Sequence, residues 1–116
     1  MNYFDAISII KSIENFDKIQ YFLFKSKSCP FCDEWFKYNE KDFRNYLEND
    51  FDFYIIDCEN QFVPFPPLVS PTSYFYHKNF KQPFIRQSML PLFEMTKELD
   101  KFIRIKNGES YENVFK

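Results

Sequence analysis

Cys29, Pro30, Phe31 and Cys32 stand directly behind the apolar run Tyr21-Phe22-Leu23-Phe24. Two thiols at this spacing can close a small disulfide and reopen it, provided their sulfurs meet. A strand giving way to a helix meets that condition, because the first helical turn brings the two side chains together at a terminus carrying partial positive charge. That field favours a thiolate on Cys29. Pro30 falls at the first helical position, where its missing N–H and preset φ do no harm, and Asp33 and Glu34 in the first turn suit the helix dipole. Cys29, at the cap, is expected to be the more exposed and more acidic thiol. Cys32 points back under the turn and must lose its proton to act.

Blander readings stand beside this one. The pair could be two inert thiols at a coincidental spacing, and Cys29, Cys32, Cys58 and His77 make up, on paper, a Cys3His zinc set. Structural zinc sites use two short paired knuckles, whereas Cys58 and His77 are separated by a proline-rich stretch, so no metal ligands are assigned. Cys58, at the C-terminal end of an expected strand, reads as a small buried hydrophobe or as a second resolving or regulatory thiol. His77, between Tyr76 and Lys78, is expected to be a strand-end surface residue without chemistry. Phe31, Phe62 and Phe65 could form an apolar rim around the sulfurs, although in so aromatic a chain some rings are exposed by composition alone.

Composition sets the scale of the scaffold. The chain has 116 residues, one domain's worth, and 45% hydrophobic residues with 22% aromatic, including 17 Phe and 8 Tyr against a single Gly. Rings are therefore expected to pack the core, with few glycine turns available. Fifteen basic and 17 acidic residues give a net charge of −2 and are scattered, with no long basic block, so neither nucleic acid nor a membrane surface is expected as a partner. Residues 1 to 12 do not read as a secretory signal, no apolar stretch is long enough to span a bilayer, and three cysteines fit a redox role better than a disulfide framework. A cytoplasmic, reducing compartment is the expectation.

The elements that must hold the pair can be read in order. Ala6, Ile7, Ile9, Ile10 and Ile13 lie on one side of a helix over residues 3 to 15, with Asn2 as a cap. The spacing predicts a strand over 19 to 25, covered on both faces, then a helix to about residue 48 with Phe36, Phe43 and Leu47 on one side. Phe51, Phe53, Ile55 and Ile56 predict a second strand ending near Asp57, completing a β-α-β unit. Pro64, Pro66, Pro67 and Pro71 make 58 to 71 a constrained loop. Strands over 72 to 77 and 84 to 89 form an antiparallel hairpin. A last helix from Pro91 carries Leu92, Met95, Leu99, Phe102 and Ile103 and stops at Asn107-Gly108. The tail, 109 to 116, is expected to fray. The sum is a three-layer α/β sandwich.

The order of elements, the Cys29-Pro30-Phe31-Cys32 pair opening a helix, and Val69-Ser70-Pro71-Thr72 ahead of the hairpin resemble the thioredoxin and glutaredoxin superfamily over nearly the whole chain. The resemblance implies one thioredoxin-like domain over 1–116, with a four-stranded mixed sheet in the order 2-1-3-4 and an N-terminal helix. It implies Cys29 and Cys32 as the catalytic pair, and Pro71 as the cis proline beside them. Pro30, Phe31, Ser70 and Pro71 would meet the substrate, Ser70 through its backbone groups. Where thioredoxins carry Gly-Pro between the cysteines, a preceding tryptophan and a buried acid six residues before the first cysteine, this chain has Pro30-Phe31, Ser28 and Leu23. The Cys-Pro-aromatic-Cys form is similar to dithiol glutaredoxins, but their Thr-Val before the cis proline and their later double glycine are absent.

What the resemblance implies is a divergent thiol-disulfide oxidoreductase that reduces protein disulfides and carries electrons through a reversible Cys29–Cys32 disulfide, with no other cofactor. Its donor would be thioredoxin reductase or glutathione. Ribonucleotide reductase, peroxiredoxin or methionine sulfoxide reductase are the partners such proteins serve. A glutathione-linked dithiol glutaredoxin and a redox-inactive protein-binding module are the alternatives. With Leu23 in the place of the acid, Asp57 and Glu34 are the carboxylates left as candidates, each also readable as a plain surface or cap residue, and neither is assigned the proton of Cys32.

Overall fold

In the computed structural model, which describes residues 1–27, 29–58, 63 and 70–115, the architecture is organised around strand β1, Ile19–Lys25. Successive side chains of a strand point to opposite faces. Ile19, Tyr21 and Leu23 enter one core, while Phe22 and Phe24 enter the other. Ile19 through Leu23 are almost fully buried, as a strand covered on both faces requires. Gln20 is the polar exception. Its amide donates to the Lys18 carbonyl and to Asp52 at 3.1 and 2.7 Å, and its carbonyl accepts from the Tyr54 hydroxyl at 3.0 Å, so burial leaves no orphan there.

Helix α1, Tyr3–Lys11, precedes β1 and is capped by Asn2, whose side chain accepts from the Asp5 N–H at 2.8 Å. The helical spacing read through Ile13 ends sooner than expected. Ser12 closes α1 and residues Ile13–Asn15 form a 3₁₀ turn instead. Helix α2, Pro30–Leu47, buries Cys32, Trp35, Phe43 and Leu47. Strand β2, Phe51–Asp57, runs parallel to β1 with Ile19 opposite Phe51 and Lys25 opposite Asp57. Strand β3, Thr72–Tyr76, is antiparallel to β1, and β4, Phe84–Gln87, is antiparallel to β3. The sheet order is β2-β1-β3-β4, as expected.

Helix α3, Leu92–Lys106, joins α2 on the face of Tyr21 and Leu23, with Met95, Leu99 and Phe102 fully or nearly buried. Helix α1 lies on the opposite face against Phe22 and Ile56. This gives the three layers. The rings do the packing the composition foretold: Tyr21 contacts Phe53 and Phe75 at centroid distances of 4.7 and 4.4 Å, and Phe84 stacks on Phe102 at 4.4 Å. Such pairs contribute about 0.5–1.5 kcal/mol each beyond their buried area. After α3 the chain turns at Gly108, with φ 109°.

Two expectations are corrected here. The segment after Gly108 does not fray among its described residues. Ser110 accepts from the Asn113 N–H at 3.2 Å, helix α4 spans Tyr111–Val114, Val114 is buried, and Phe115 packs on Phe84. A cap and two apolar anchors outweigh the fraying usual at a chain end. His77 is buried at 6% exposure, because Nε2 donates to the Asp17 carbonyl at 3.0 Å and Nδ1 accepts from the Asn79 N–H at 3.0 Å. An imidazole with both nitrogens engaged can leave water.

Candidate active site

β1, β2 and β3 bring their ends together at one edge of the sheet. Because β1 and β2 are parallel, Lys25 and Asp57 lie side by side there, and because β3 is antiparallel its first residue, Thr72, sits opposite Phe24. The chain leaves β1 at Lys25 and enters α2 at Pro30, so Cys29 becomes the helix cap. Proline at the first helical position forfeits no helical hydrogen bond, and this fixes where the helix begins.

The two sulfurs are bonded. Cys29 and Cys32 form a disulfide of 2.10 Å with a Cα–Cα distance of 5.2 Å, inside the span a disulfide bridges. Cys29 Sγ also accepts from the Cys32 backbone N–H at 3.2 Å, and Asp33 N–H donates to the Cys29 carbonyl at 3.1 Å. The first sulfur thus occupies the place where a helix of 18 residues directs its unpaired N–H groups and partial positive charge. Cys29 is 7% exposed and Cys32 0%, in the order expected. Phe31, between them, is 46% exposed.

The Ser70–Pro71 peptide bond is cis, and it lies against the pair: the Ser70 carbonyl oxygen is 3.8 Å from Cys29 Sγ, and the Ser70 hydroxyl is 3.8 Å from Cys32 Sγ. Ser70 is exposed while Pro71 is buried. The residues singled out from the sequence, Cys29, Pro30, Phe31, Cys32, Ser70 and Pro71, therefore converge on one spot. Phe62 and Phe65, named as rim candidates, lie outside the described residues, as do Ser28 and Val69.

Three features escaped the sequence. Ser26 donates its backbone N–H to the Ser70 hydroxyl at 2.9 Å, tying the end of β1 to the proline loop. Ser88, just past β4, adopts φ 63° and donates its N–H to the Pro71 carbonyl at 2.7 Å, so β4 stops at Gln87 rather than continuing to Met89. A left-handed turn filled by serine in a chain with one glycine carries no compositional signal. Lys25 Nζ lies 4.0 Å from the Asp33 carboxylate; the side chains are 27% and 69% exposed, so the pair contributes under about 1 kcal/mol. At the end of the apolar run of β1, this lysine read as one more strand residue.

The zinc set does not assemble. His77 follows the far end of β3 and bonds to Asp17, which precedes β1, whereas Cys29 follows the end of β1. Seven residues of strand, about 20 Å at 3.3 Å per residue, separate the two ends. Cys58 follows β2, donates its N–H to the Lys25 carbonyl at 2.9 Å and is half-buried against the α1-side core. Glu34 is exposed on α2, and Asp57 is half-buried. Leu23, at the place of the missing acid, is fully buried in the core under α2 and α3. No helix among the described residues is long and apolar enough to cross a membrane.

No family model matches the sequence, and no curated protein matches it. Solved structures do. The chain superposes on the crystal structure of chloroplastic thioredoxin z, described as defining a novel type-specific target recognition, with a TM-score of 0.68 at 15% identity over 93% of each chain. It superposes on the germline-specific thioredoxin Deadhead of Drosophila melanogaster with a TM-score of 0.58 at 15% identity, over 89% of this chain and 92% of that one. With its sheet order, its N-terminal helix and its cysteine pair at the head of α2, the chain has the thioredoxin fold.

Proposed function

We propose that the protein is a thiol-disulfide oxidoreductase that reduces disulfides of protein substrates through Cys29 and Cys32. The observation that carries the reading is the pair itself: two sulfurs within bonding distance, the first at the cap of α2. The Cys29 thiolate attacks one sulfur of the substrate disulfide, that S–S bond breaks, and the first substrate thiol leaves with a proton. The Cys32 sulfur then attacks Cys29, the mixed disulfide breaks, and the proton given up by Cys32 ends on the second substrate thiol. Two electrons have passed to the substrate, and the protein holds a Cys29–Cys32 disulfide.

Exposed Phe31 and the backbone groups of Ser70 are where an extended substrate would lie, pairing in short β-augmentation beside Pro71. The donor that reopens the disulfide is thioredoxin reductase or glutathione. Insulin reduction, run separately with each donor system, tests the reading. Turnover with one donor and its loss in Cys29→Ser is the expected result, whereas full activity of that variant, or no turnover with either donor, overturns it. A midpoint potential near about −270 mV marks a reductant and one near about −120 mV an oxidant.

A further inference from the structure

The fold that holds the pair leaves one chemical role without its customary type of residue. Cys32 is fully buried, so forming its thiolate is costly unless a donor meets the sulfur, and Leu23, which stands on β1 at the sequence place of the customary acid, offers only methyl groups. We infer that the Ser70 hydroxyl fills this role, donating a hydrogen bond to the Cys32 sulfur as it becomes the attacking thiolate. The inference rests on the redox reading given above.

The geometry supplies the reason. Ser70 Oγ accepts from the Ser26 N–H at 2.9 Å, which fixes the oxygen and uses one of its lone pairs. The hydroxyl proton remains to be directed elsewhere, and Cys32 Sγ lies 3.8 Å away, within reach of an O–H···S bond. In the disulfide that sulfur is a weak acceptor. In the resolving step it becomes anionic, and a bond to the charged form lowers its pKa. Ser70 does not take the proton. It holds the anion while the proton passes to the departing substrate thiol. Among the described residues, the charged groups gathered at this end of the sheet are Lys25 with its partner Asp33, Asp57 opposite Lys25, and exposed Glu34 and Lys27. All of these stay in place when only the serine changes.

The test is a titration of Cys32 in reduced protein carrying Cys29→Ser, read from its ¹³Cβ shift by NMR, which resolves Cys32 from Cys58 and reports folding in the same spectra. Ser70→Ala should raise the Cys32 pKa by about one unit, a roughly tenfold smaller thiolate fraction at neutral pH, and Ser70→Thr, which keeps the hydroxyl, should hold it near the parent value. An unchanged pKa in Ser70→Ala, or an equal rise in both variants, overturns the inference. Because the titration needs no substrate or donor, its outcome is separate from that of the insulin assay. Failure there would sink the redox reading, whereas failure here would sink only the part assigned to Ser70.

Discussion

Ser88 donates its backbone N–H to the Pro71 carbonyl at 2.7 Å while holding φ at 63°, so a non-glycine residue in left-handed backbone anchors the Ser70–Pro71 peptide that lies against the cysteine pair. That conformation costs an L-residue about 1–2 kcal/mol. Glycine removes the cost but loses more freedom on folding, which returns about 0.5–1 kcal/mol. Ser88→Gly should therefore stabilise the oxidised protein by about 0.5–1 kcal/mol, read as a melting temperature higher by about 2–5 °C in thermal unfolding. Ser88→Val, β-branched, should lower it. A glycine variant that melts below the parent would show that the serine side chain contributes more than its backbone costs.

Tyr21 and Ser73 make a second, fully buried pair: their hydroxyls are 2.8 Å apart beneath the sheet, with the Met89 sulfur 3.9 Å from the tyrosine oxygen. Ser73→Ala should cost about 1–3 kcal/mol by leaving the phenol with only a weak sulfur acceptor. Removing both hydroxyls in Tyr21→Phe with Ser73→Ala should cost less than the sum of the single changes, by about 1–2 kcal/mol in a double-mutant cycle from urea unfolding. Burial pushes the Tyr21 phenol far above its ordinary value, and the Ser73 bond offsets only part of that. A raised folded-state pKa contributes stability in full below the unfolded value, about 10, and loses it as pH climbs above that value. Tyr21→Phe should flatten part of this alkaline fall.

Much of the site was legible from residue types because its parts are local. A cap cysteine, a proline at the first helical position and a second cysteine one turn on define each other within four positions, and β1 announces itself through the apolar run Tyr21-Phe22-Leu23-Phe24. Element bounds held where a chemical stop exists, as at Asn107-Gly108. They slipped where the stop is conformational, as at Ser12 and Ser88. The burial of His77 was hidden for another reason. Asn79 is a local partner, but Asp17 lies 60 positions away and is met only once β3 returns antiparallel to the start of β1, a meeting no local pattern encodes. The Ser26–Ser70 bond is hidden likewise, spanning 44 positions.

His77 carries a pH dependence of its own. Burial is the largest cause holding its pKa below the ordinary histidine value, and the neighbouring Lys106 and Lys78 charges act in the same direction, against the bond to the Asp17 carbonyl and the Asp17 charge. The neutral ring donating from Nε2 is the form that fits. With the folded pKa depressed, stability is fully present above about 6.5 and falls as pH drops through the folded value, since the unfolded chain takes up the proton first. Urea midpoints should therefore decline from pH 7.5 to pH 5, and the decline should be shallower in His77→Gln. A slope identical in both proteins would assign the acid loss to carboxylates.

Thiol reactivity separates the three cysteines. In the disulfide form Cys29 Sγ sits at the cap of α2, where the Cys32 N–H points at it from 3.2 Å and the helix terminus favours an anion once the bond is reduced, while Cys32 is wholly buried and Cys58 lies half-buried after β2. Limiting iodoacetamide at pH 7 should label Cys29 first, and the pH profile of that labelling should have its midpoint below the value of about 8.5 for an ordinary thiol. Peptide mass spectrometry reads both quantities. Cys58 reacting ahead of Cys29, or a Cys29 midpoint at or above that value, would mean that the helix start does not activate its cap sulfur. Attack on a substrate disulfide would then need another origin, because thiolate fraction at neutral pH sets how fast such a sulfur exchanges.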